Sequence, residues 1–189
     1  MKRRISVILS LIMMLTCLVS CGSGTSQTTQ TTQTTQTTQT TAKPKIPENY
    51  TMYVDGMITF AYPKNWTRKS GTVVELDSKS SNNNITVANE PKNVIYDTMT
   101  VEYFNKEIKP VYDEIGFKVS NVKIERWRTN GEKVTIISYD AKYRSMSMKQ
   151  TQFVMHSGSR TFVVTVSIYT PESDPGLVQT VYDTLDVYK

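Results

Sequence analysis

The chain has 189 residues, with 22 basic and 17 acidic side chains and a formal net charge of +5. Lys2, Arg3 and Arg4 supply three of the basic residues, and without them 19 basic residues face 17 acidic ones, a net charge of +2. Such a balance gives no case for nucleic-acid binding, so we expect no nucleic-acid partner.

The N-terminus carries the pattern of a bacterial lipoprotein signal. Its basic start precedes an apolar stretch, residues 5–19, which is shorter than the roughly 20 residues of a membrane-spanning helix. The sequence Leu18-Val19-Ser20-Cys21 spans the end of this stretch and places a small residue directly before a cysteine. We predict a signal peptide over residues 1–20 and a lipid on Cys21, which would anchor the mature chain on the extracytoplasmic side of the membrane. An ordinary secretory signal with a chance cysteine is the alternative.

The two cysteines of the chain both fall in this region, Cys17 inside the predicted signal and Cys21 at its end. We therefore expect neither a disulfide nor a cysteine nucleophile in the mature domain. Residues 21–47 follow as a linker that is composed mainly of Thr and Gln and has almost no apolar side chain to bury. Such a composition predicts a disordered stalk that holds the domain away from the bilayer.

Residues 48–189 have the length of a single domain. Asp55-Gly56, Asn130-Gly131 and Ser157-Gly158-Ser159 each separate two runs of alternating or β-branched residues, a pattern typical of β-hairpins. The run at residues 161–169 is the richest in β-branched side chains, so we expect that strand at the centre of the sheet.

Two helices are predicted on this sheet. Val101, Phe104, Ile108, Val111 and Ile115 recur at helical spacing and indicate one apolar helix face, although Pro110 within it would kink the helix or divide it in two. A second helix near the C-terminus would begin at Pro175. The fold class is therefore α+β, an antiparallel sheet built from hairpins with flanking helices.

No catalytic or metal-binding motif stands out. His156 is the only histidine and adjoins a predicted turn, so a hydrolase would need a serine and an acid brought to it by the fold. With a single histidine and no available cysteine, the usual zinc ligand sets are absent. We assign no catalytic residue, no metal ligand and no cofactor, and we expect a protein that is not an enzyme.

Arg126, Trp127 and Arg128 form the most distinctive candidate for partner binding. Trp and Arg dominate the energetics of many interfaces, and Tyr143 and Arg144 on the next strand would extend the same surface. Strand alternation places Trp127 opposite to Val122 and Ile124, where it is either covered by a helix or exposed among charges.

Several segments of the domain resemble PsbP-like domains. They are Met57–Trp66, with its Tyr-Pro-x-x-Trp step, the helix start at Thr100–Phe104, the hairpin of Lys149–Val154 with Arg160–Thr165, and the closing helix. The resemblance implies an α-β-α sandwich. It also implies partner binding rather than catalysis, because members include an extrinsic protein of photosystem II and a protein that binds the GTPase Ran. Bacterial members are often small lipoproteins, and no catalytic residue is carried over.

Together these features lead to one hypothesis and two alternatives. The main hypothesis is a membrane-anchored lipoprotein that binds an envelope protein or an anionic wall polymer. The first alternative is an accessory protein that binds a small molecule or a glycan, to which the eleven tyrosines of the chain could contribute stacking surfaces. The second alternative is the hydrolase built around His156.

Overall fold

Long strands with apolar side chains on both faces build a central sheet that is covered on each side. The computed structural model describes residues 45–71, 73–129 and 131–188. The predicted signal peptide, Cys21, the Thr/Gln tract and Asn130 lie outside these ranges.

Within the described ranges there are ten strands, all joined by antiparallel pairing. They are β1 Tyr50–Val54, β2 Ile58–Pro63, β3 Thr67–Lys69, β4 Val74–Asp77, β5 Asn84–Pro91, β6 Phe117–Thr129, β7 Glu132–Tyr143, β8 Met146–Ser157, β9 Arg160–Ile168 and β10 Asp186–Val187. Seven of them form the large sheet in the order β3-β4-β5-β9-β8-β7-β6, and three form a small sheet in the order β1-β2-β10.

Three helices accompany the strands within residues 45–71, 73–129 and 131–188. Helix α1 is the single turn Ile95–Thr98, and helix α2 consists of three consecutive segments, Val101–Tyr103, Phe104–Ile108 and Lys109–Glu114. A 3-10 turn, Pro171–Ser173, precedes helix α3, Leu177–Thr184. The α+β class predicted from the hairpin signals is confirmed, and β9 lies in the middle of the large sheet as expected.

The large sheet separates two hydrophobic clusters. Val164, Phe153 and Val134 point to the first cluster, where they meet the small sheet and α3. Val163, Val154 and other alternate residues point to the second cluster, beneath α1 and α2. Both faces of the central strands are thus buried, which explains their nearly continuous apolar sequence.

Helix α2 accommodates Pro110 without dividing. Its middle segment is π-helical, and the N–H of Lys109 donates to the carbonyl of Phe104, five residues earlier. This wider turn relieves the clash that a proline ring makes with the carbonyl four residues before it. The extra residue also shifts the apolar face, so that Tyr112 is fully buried while Val111, which the spacing predicts to be inward, is only partly so.

The main differences from the predicted elements concern short segments. Strands β3 and β10 and helix α1 have two to four residues each, too few to show a hydrophobic period. Helix α3 begins at Leu177, after Gly176 with a φ of 78°, so Pro175 lies in the turn before it rather than in its first turn. No helix in the described part of the chain is long and apolar enough to cross a membrane.

Candidate functional site

His156 lies at the end of β8 and contacts a hydroxyl and a carboxylate, one with each ring nitrogen. Its Nδ1 is 2.9 Å from Oγ1 of Thr161, the residue directly opposite on β9. Its Nε2 is 3.3 Å from Oδ1 of Asp97 in α1. The fold therefore brings together a hydroxyl, an imidazole and an acid, as the hydrolase hypothesis demanded, with a threonine in place of the serine.

The environment of Thr161 limits what this arrangement can do. Its side chain is 0% exposed, and its Oγ1 accepts a hydrogen bond from the N–H of Asn93 at 2.8 Å. A nucleophile must reach the carbon atom that it attacks. In this conformation Thr161 is enclosed. We call the group of Asp97, His156 and Thr161 the His156 network. It connects α1, and the chain before α1, to the sheet.

Further polar contacts fasten α1 over the same strands. The hydroxyl of Thr135 donates to the carbonyl of Tyr96 at 2.9 Å. Arg126 donates to the carbonyls of Asp97 at 3.2 Å and Met99 at 2.6 Å, at the C-terminal end of the helix. Partial burial lowers the pKa of Arg126, and the charge of Asp97 opposes that effect. Arg126 thus serves to hold α1 in place, a role for which its sequence position offered no signal.

Glu90 lies beside the His156 network, on the neighbouring strand β5. It pairs directly with Thr161 in the β5–β9 register and is only 7% exposed. Burial raises the pKa of Glu90 above its ordinary value, while a hydrogen bond from Tyr96 and the charge of Arg160 oppose the shift. Its Oε1 has no hydrogen-bond partner among the residues that the structure describes.

The His156 network contains two side chains of metal-ligating type, His156 and Asp97. Across residues 45–71, 73–129 and 131–188, no group of three or more His, Cys, Asp or Glu side chains is placed to hold an ion. The buried acid and the imidazole are instead arranged around hydroxyl and backbone groups, which suits a structural connection.

Trp127 lies on the opposite face of the large sheet from Arg126 and the His156 network. Its indole stacks on the ring of Tyr182 in α3, with centroids 4.3 Å apart and an interplanar angle of 23°. Trp127 is partly buried against the first cluster, so it is neither wholly covered nor free among charges. Burial raises the pKa of Tyr182, with smaller effects from the nearby acids Asp183 and Glu125.

Arg128 is exposed and shares the face of Arg126. It donates to the carbonyl of Gly131 at 3.0 Å and stands directly opposite Lys133 on β7. The three consecutive residues of the predicted Arg-Trp-Arg surface therefore divide between two faces of the sheet, because side chains alternate along a strand.

Tyr143 and Arg144 lie at the other end of the same hairpin. Tyr143 is paired with Phe117 and stacks on it, with ring centroids 4.7 Å apart. Phe117 precedes Trp127 by ten residues, a distance of about 30 Å along β6. The expectation that Tyr143 and Arg144 adjoin Trp127 is wrong, because the end of β7 pairs with the start of β6 in an antiparallel hairpin. Arg144 packs over Tyr143, with its guanidinium 5.3 Å from the ring centroid.

Three residues of these two regions, Thr161, Asp97 and Tyr182, were not predicted from the sequence. Thr161 could have been found, because the predicted hairpin places it across the turn from His156. Asp97 and Tyr182 could not, since they are 59 and 55 residues away from His156 and Trp127 and only the tertiary fold joins them.

No protein-family model matches the sequence, and no curated protein matches it. Among solved structures, the chain is similar to cyanobacterial PsbP from Synechocystis sp. PCC 6803, with a TM-score of 0.57 and 16% identity over 74% of this chain and 93% of that one. Two others have a TM-score of 0.44. One is from Bacteroides thetaiotaomicron, with 8% identity over 70% of this chain and 46% of that one. The other is a protein of unknown function from Pseudomonas aeruginosa, with 15% identity over 75% and 99%. The likeness to PsbP shows that the domain has a PsbP-like fold.

The role of Thr161 as a structural connection can be tested by Thr161→Val. This variant removes the acceptor for the partly buried N–H of Asn93, and we expect it to lower the free energy of unfolding by about 1–3 kcal/mol. Thr161→Ser keeps the hydroxyl and should retain most of the stability. Urea unfolding at neutral pH measures both, and equal stability of the Val variant and the unmodified chain would contradict the assignment.

Glu90 should make stability depend on pH. Because its folded-state pKa is raised above the ordinary 4.5, the folded chain holds this proton more tightly than the unfolded chain. The stabilisation by protonated Glu90 is complete below pH 4.5 and is lost as pH rises through the folded-state pKa. Glu90→Gln stays neutral, so its unfolding free energy relative to the unmodified chain should increase from pH 4 to pH 7. Urea unfolding across this range tests the slope, and an unchanging difference would show that Glu90 titrates normally.

Proposed function

We propose that this chain is a lipid-anchored extracytoplasmic protein whose PsbP-like domain is a non-catalytic binding module for another protein of the cell envelope. The anchoring part rests on residues outside the described structure. The basic start, the short apolar stretch and the Leu-Val-Ser-Cys sequence ending at Cys21 support it. A diacylglyceryl group on Cys21 would supply the two acyl chains that stable membrane attachment requires.

The observation that carries the binding role is the stack of Trp127 on Tyr182. Two large aromatic rings, both partly exposed, stack on each other between the edge strand β6 and helix α3. Aromatic side chains that lose little conformational freedom on binding are the usual anchors of protein interfaces. We call this region, with the neighbouring Lys123 and Glu125, the Trp127 surface.

The surroundings of the Trp127 surface favour a macromolecular partner. Lys123 and Glu125 lie on the same face of β6 as Trp127 and are both exposed. A rim of charges around an aromatic centre is the usual anatomy of a protein interface. The enclosed His156 network, by contrast, has its hydroxyl and its acid engaged within the fold and supports the structural role described above.

Anchoring through Cys21 can be tested by Cys21→Ser, with Cys17→Ser as the matched control. Cys21→Ser should abolish the lipid that mass spectrometry detects on the N-terminal peptide of the unmodified protein. Cys17→Ser should leave that lipid in place, because the signal peptide is removed. Lipid found on the Cys21→Ser protein, or none on the unmodified one, would contradict the proposal.

Partner binding through the Trp127 surface can be tested by capture from envelope extract with the full-length chain in detergent micelles. Trp127→Ala should weaken the affinity for the captured partner about 30-fold, as expected for a central aromatic anchor. Arg144→Ala, at the far end of the hairpin, is the control and should bind normally.

Trp127→Phe keeps an aromatic ring on Tyr182 and separates loss of binding from loss of stability. Circular dichroism and urea unfolding show whether each variant is folded. Equal capture by folded Trp127→Ala and the unmodified chain would overturn the Trp127 surface. Retention of a glycan or wall polymer instead of a protein would replace the proposed partner class.

A further inference from the structure

The outer edge of β6 offers a site for another strand. β6 ends the large sheet and pairs only with β7, and its ladder with β7 is regular from Lys123 to Thr129. The backbone groups on the outer side of such a strand have no neighbouring strand, so an extended segment can add to the sheet there.

A bulge limits the length of this edge. The register with β7 shifts between Ser120 and Lys123, and Asn121 has a φ of 54°. A straight incoming strand cannot follow the distorted backbone, so continuous pairing is confined to the seven residues from Lys123 to Thr129, about 23 Å. We call this segment the β6 edge.

The side chains of the β6 edge differ between its two faces. On one face Trp127 provides an aromatic surface, and on the other Arg128 is exposed. Arg128 stands directly opposite Lys133, a like-charged arrangement that destabilises a sheet unless an acid lies nearby. Neither residue has a salt bridge within the described part of the chain. An acidic side chain on an added strand would supply that charge beside Arg128.

A second copy of this chain is a poor occupant of the β6 edge. Antiparallel pairing of two such edges about a twofold axis sets each residue opposite a residue of the same face. If the twofold axis passes at Arg126, the two copies of Arg126 lie opposite each other. If it passes at Glu125, the two copies of Glu125 do, and like charges in these positions repel. Pairing centred on Ile124 places the bulge at Asn121 opposite Trp127, where the backbone is not straight.

We propose that the β6 edge binds an extended partner segment in which acidic and apolar residues alternate, by addition of an eighth strand to the large sheet. The apolar residues would pack on Trp127, and the acidic residues would pair with Arg128 and Lys133. This inference rests on the proposed binding function and specifies how the Trp127 surface and the adjoining edge recognise a partner.

The probe is a capped eight-residue peptide of alternating Glu and Val, titrated into the full-length chain in detergent micelles. Trp127 fluorescence reports binding, because Trp66 is 6% exposed and Trp127→Phe identifies its contribution. We expect saturable binding and slower hydrogen exchange of the outward amides between Lys123 and Thr129. The same peptide with Lys in place of Glu should not bind.

Backbone pairing is tested by two further peptides, one N-methylated at every Glu and one at every Val. An added strand uses only one of its two edges, so one methylated peptide should lose binding and the other should keep it. Equal behaviour of the two would overturn edge pairing. Absence of binding by the unmethylated Glu–Val peptide at millimolar concentration would overturn it as well.

Charge recognition is tested by Arg128→Glu, with Lys142→Glu at the distal end of β7 as the control. Arg128→Glu should weaken the Glu–Val peptide roughly tenfold and create binding of the Lys–Val peptide. Lys142→Glu should change neither affinity. Equal affinities in the Arg128→Glu variant and the unmodified chain would overturn the acidic preference.

Two outcomes separate this inference from the proposed function. In the first, capture of an envelope protein requires Trp127, but neither N-methylated peptide competes with it. This result would preserve the binding role and overturn strand addition at the β6 edge. A chain that is dimeric by sedimentation, with its β6 amides protected in the absence of peptide, would assign the edge to a second copy and overturn the acidic segment.

Discussion

The large sheet buries apolar side chains on both of its faces, and this double burial dictates how the other elements are arranged. The central strand β9 directs Val164 into one cluster and Val163 into the other, and each face requires its own covering layer. Helices α1 and α2 cover one face, while α3 and the small sheet cover the other. Because side chains alternate along the regular part of the edge strand β6, from Lys123 to Thr129, this division also separates Trp127 from its neighbouring arginines.

The two covering layers are attached by different physical means. Helix α3 is held mainly by apolar contacts, with Leu177 and Val181 buried against the small sheet and the first cluster. Helix α1 has four residues and could not persist as an isolated helix. Its attachment combines the buried rings and chains of Tyr96 and Met99 with the hydrogen bonds of Arg126 and Thr135 and the His156 network. The polar residues beneath α1 thus hold the helix on the sheet, a structural role that their residue types alone would not suggest.

The proposed binding role involves residues from both covering layers and from the edge strand β6. Helix α3 supplies Tyr182, which stacks on Trp127, and on the α1 side Arg128 stands directly opposite Lys133 on β7. A ring held in one orientation loses little conformational entropy when a partner binds. An acid added beside two cations relieves their electrostatic repulsion. A lipid-tethered protein with such an edge would meet partner segments at the membrane surface.

Features that depend on neighbouring residues could be predicted from the sequence. Turn residues such as Asp55-Gly56 and Gly158 specified hairpins, because a positive φ at glycine suits tight turns, and the β-branched run of β9 indicated its central place. Local patterns also led to the proposed lipid on Cys21. Only the tertiary structure decided that Asp97 meets His156, that Tyr182 meets Trp127 and that Tyr143 lies far from both. These relations depend on which strands and helices pack together, and packing between distant segments leaves no period or spacing in the sequence. Even the inward shift of Tyr112 required the structure, because a π-helical turn before Pro110 changes the helical period within α2.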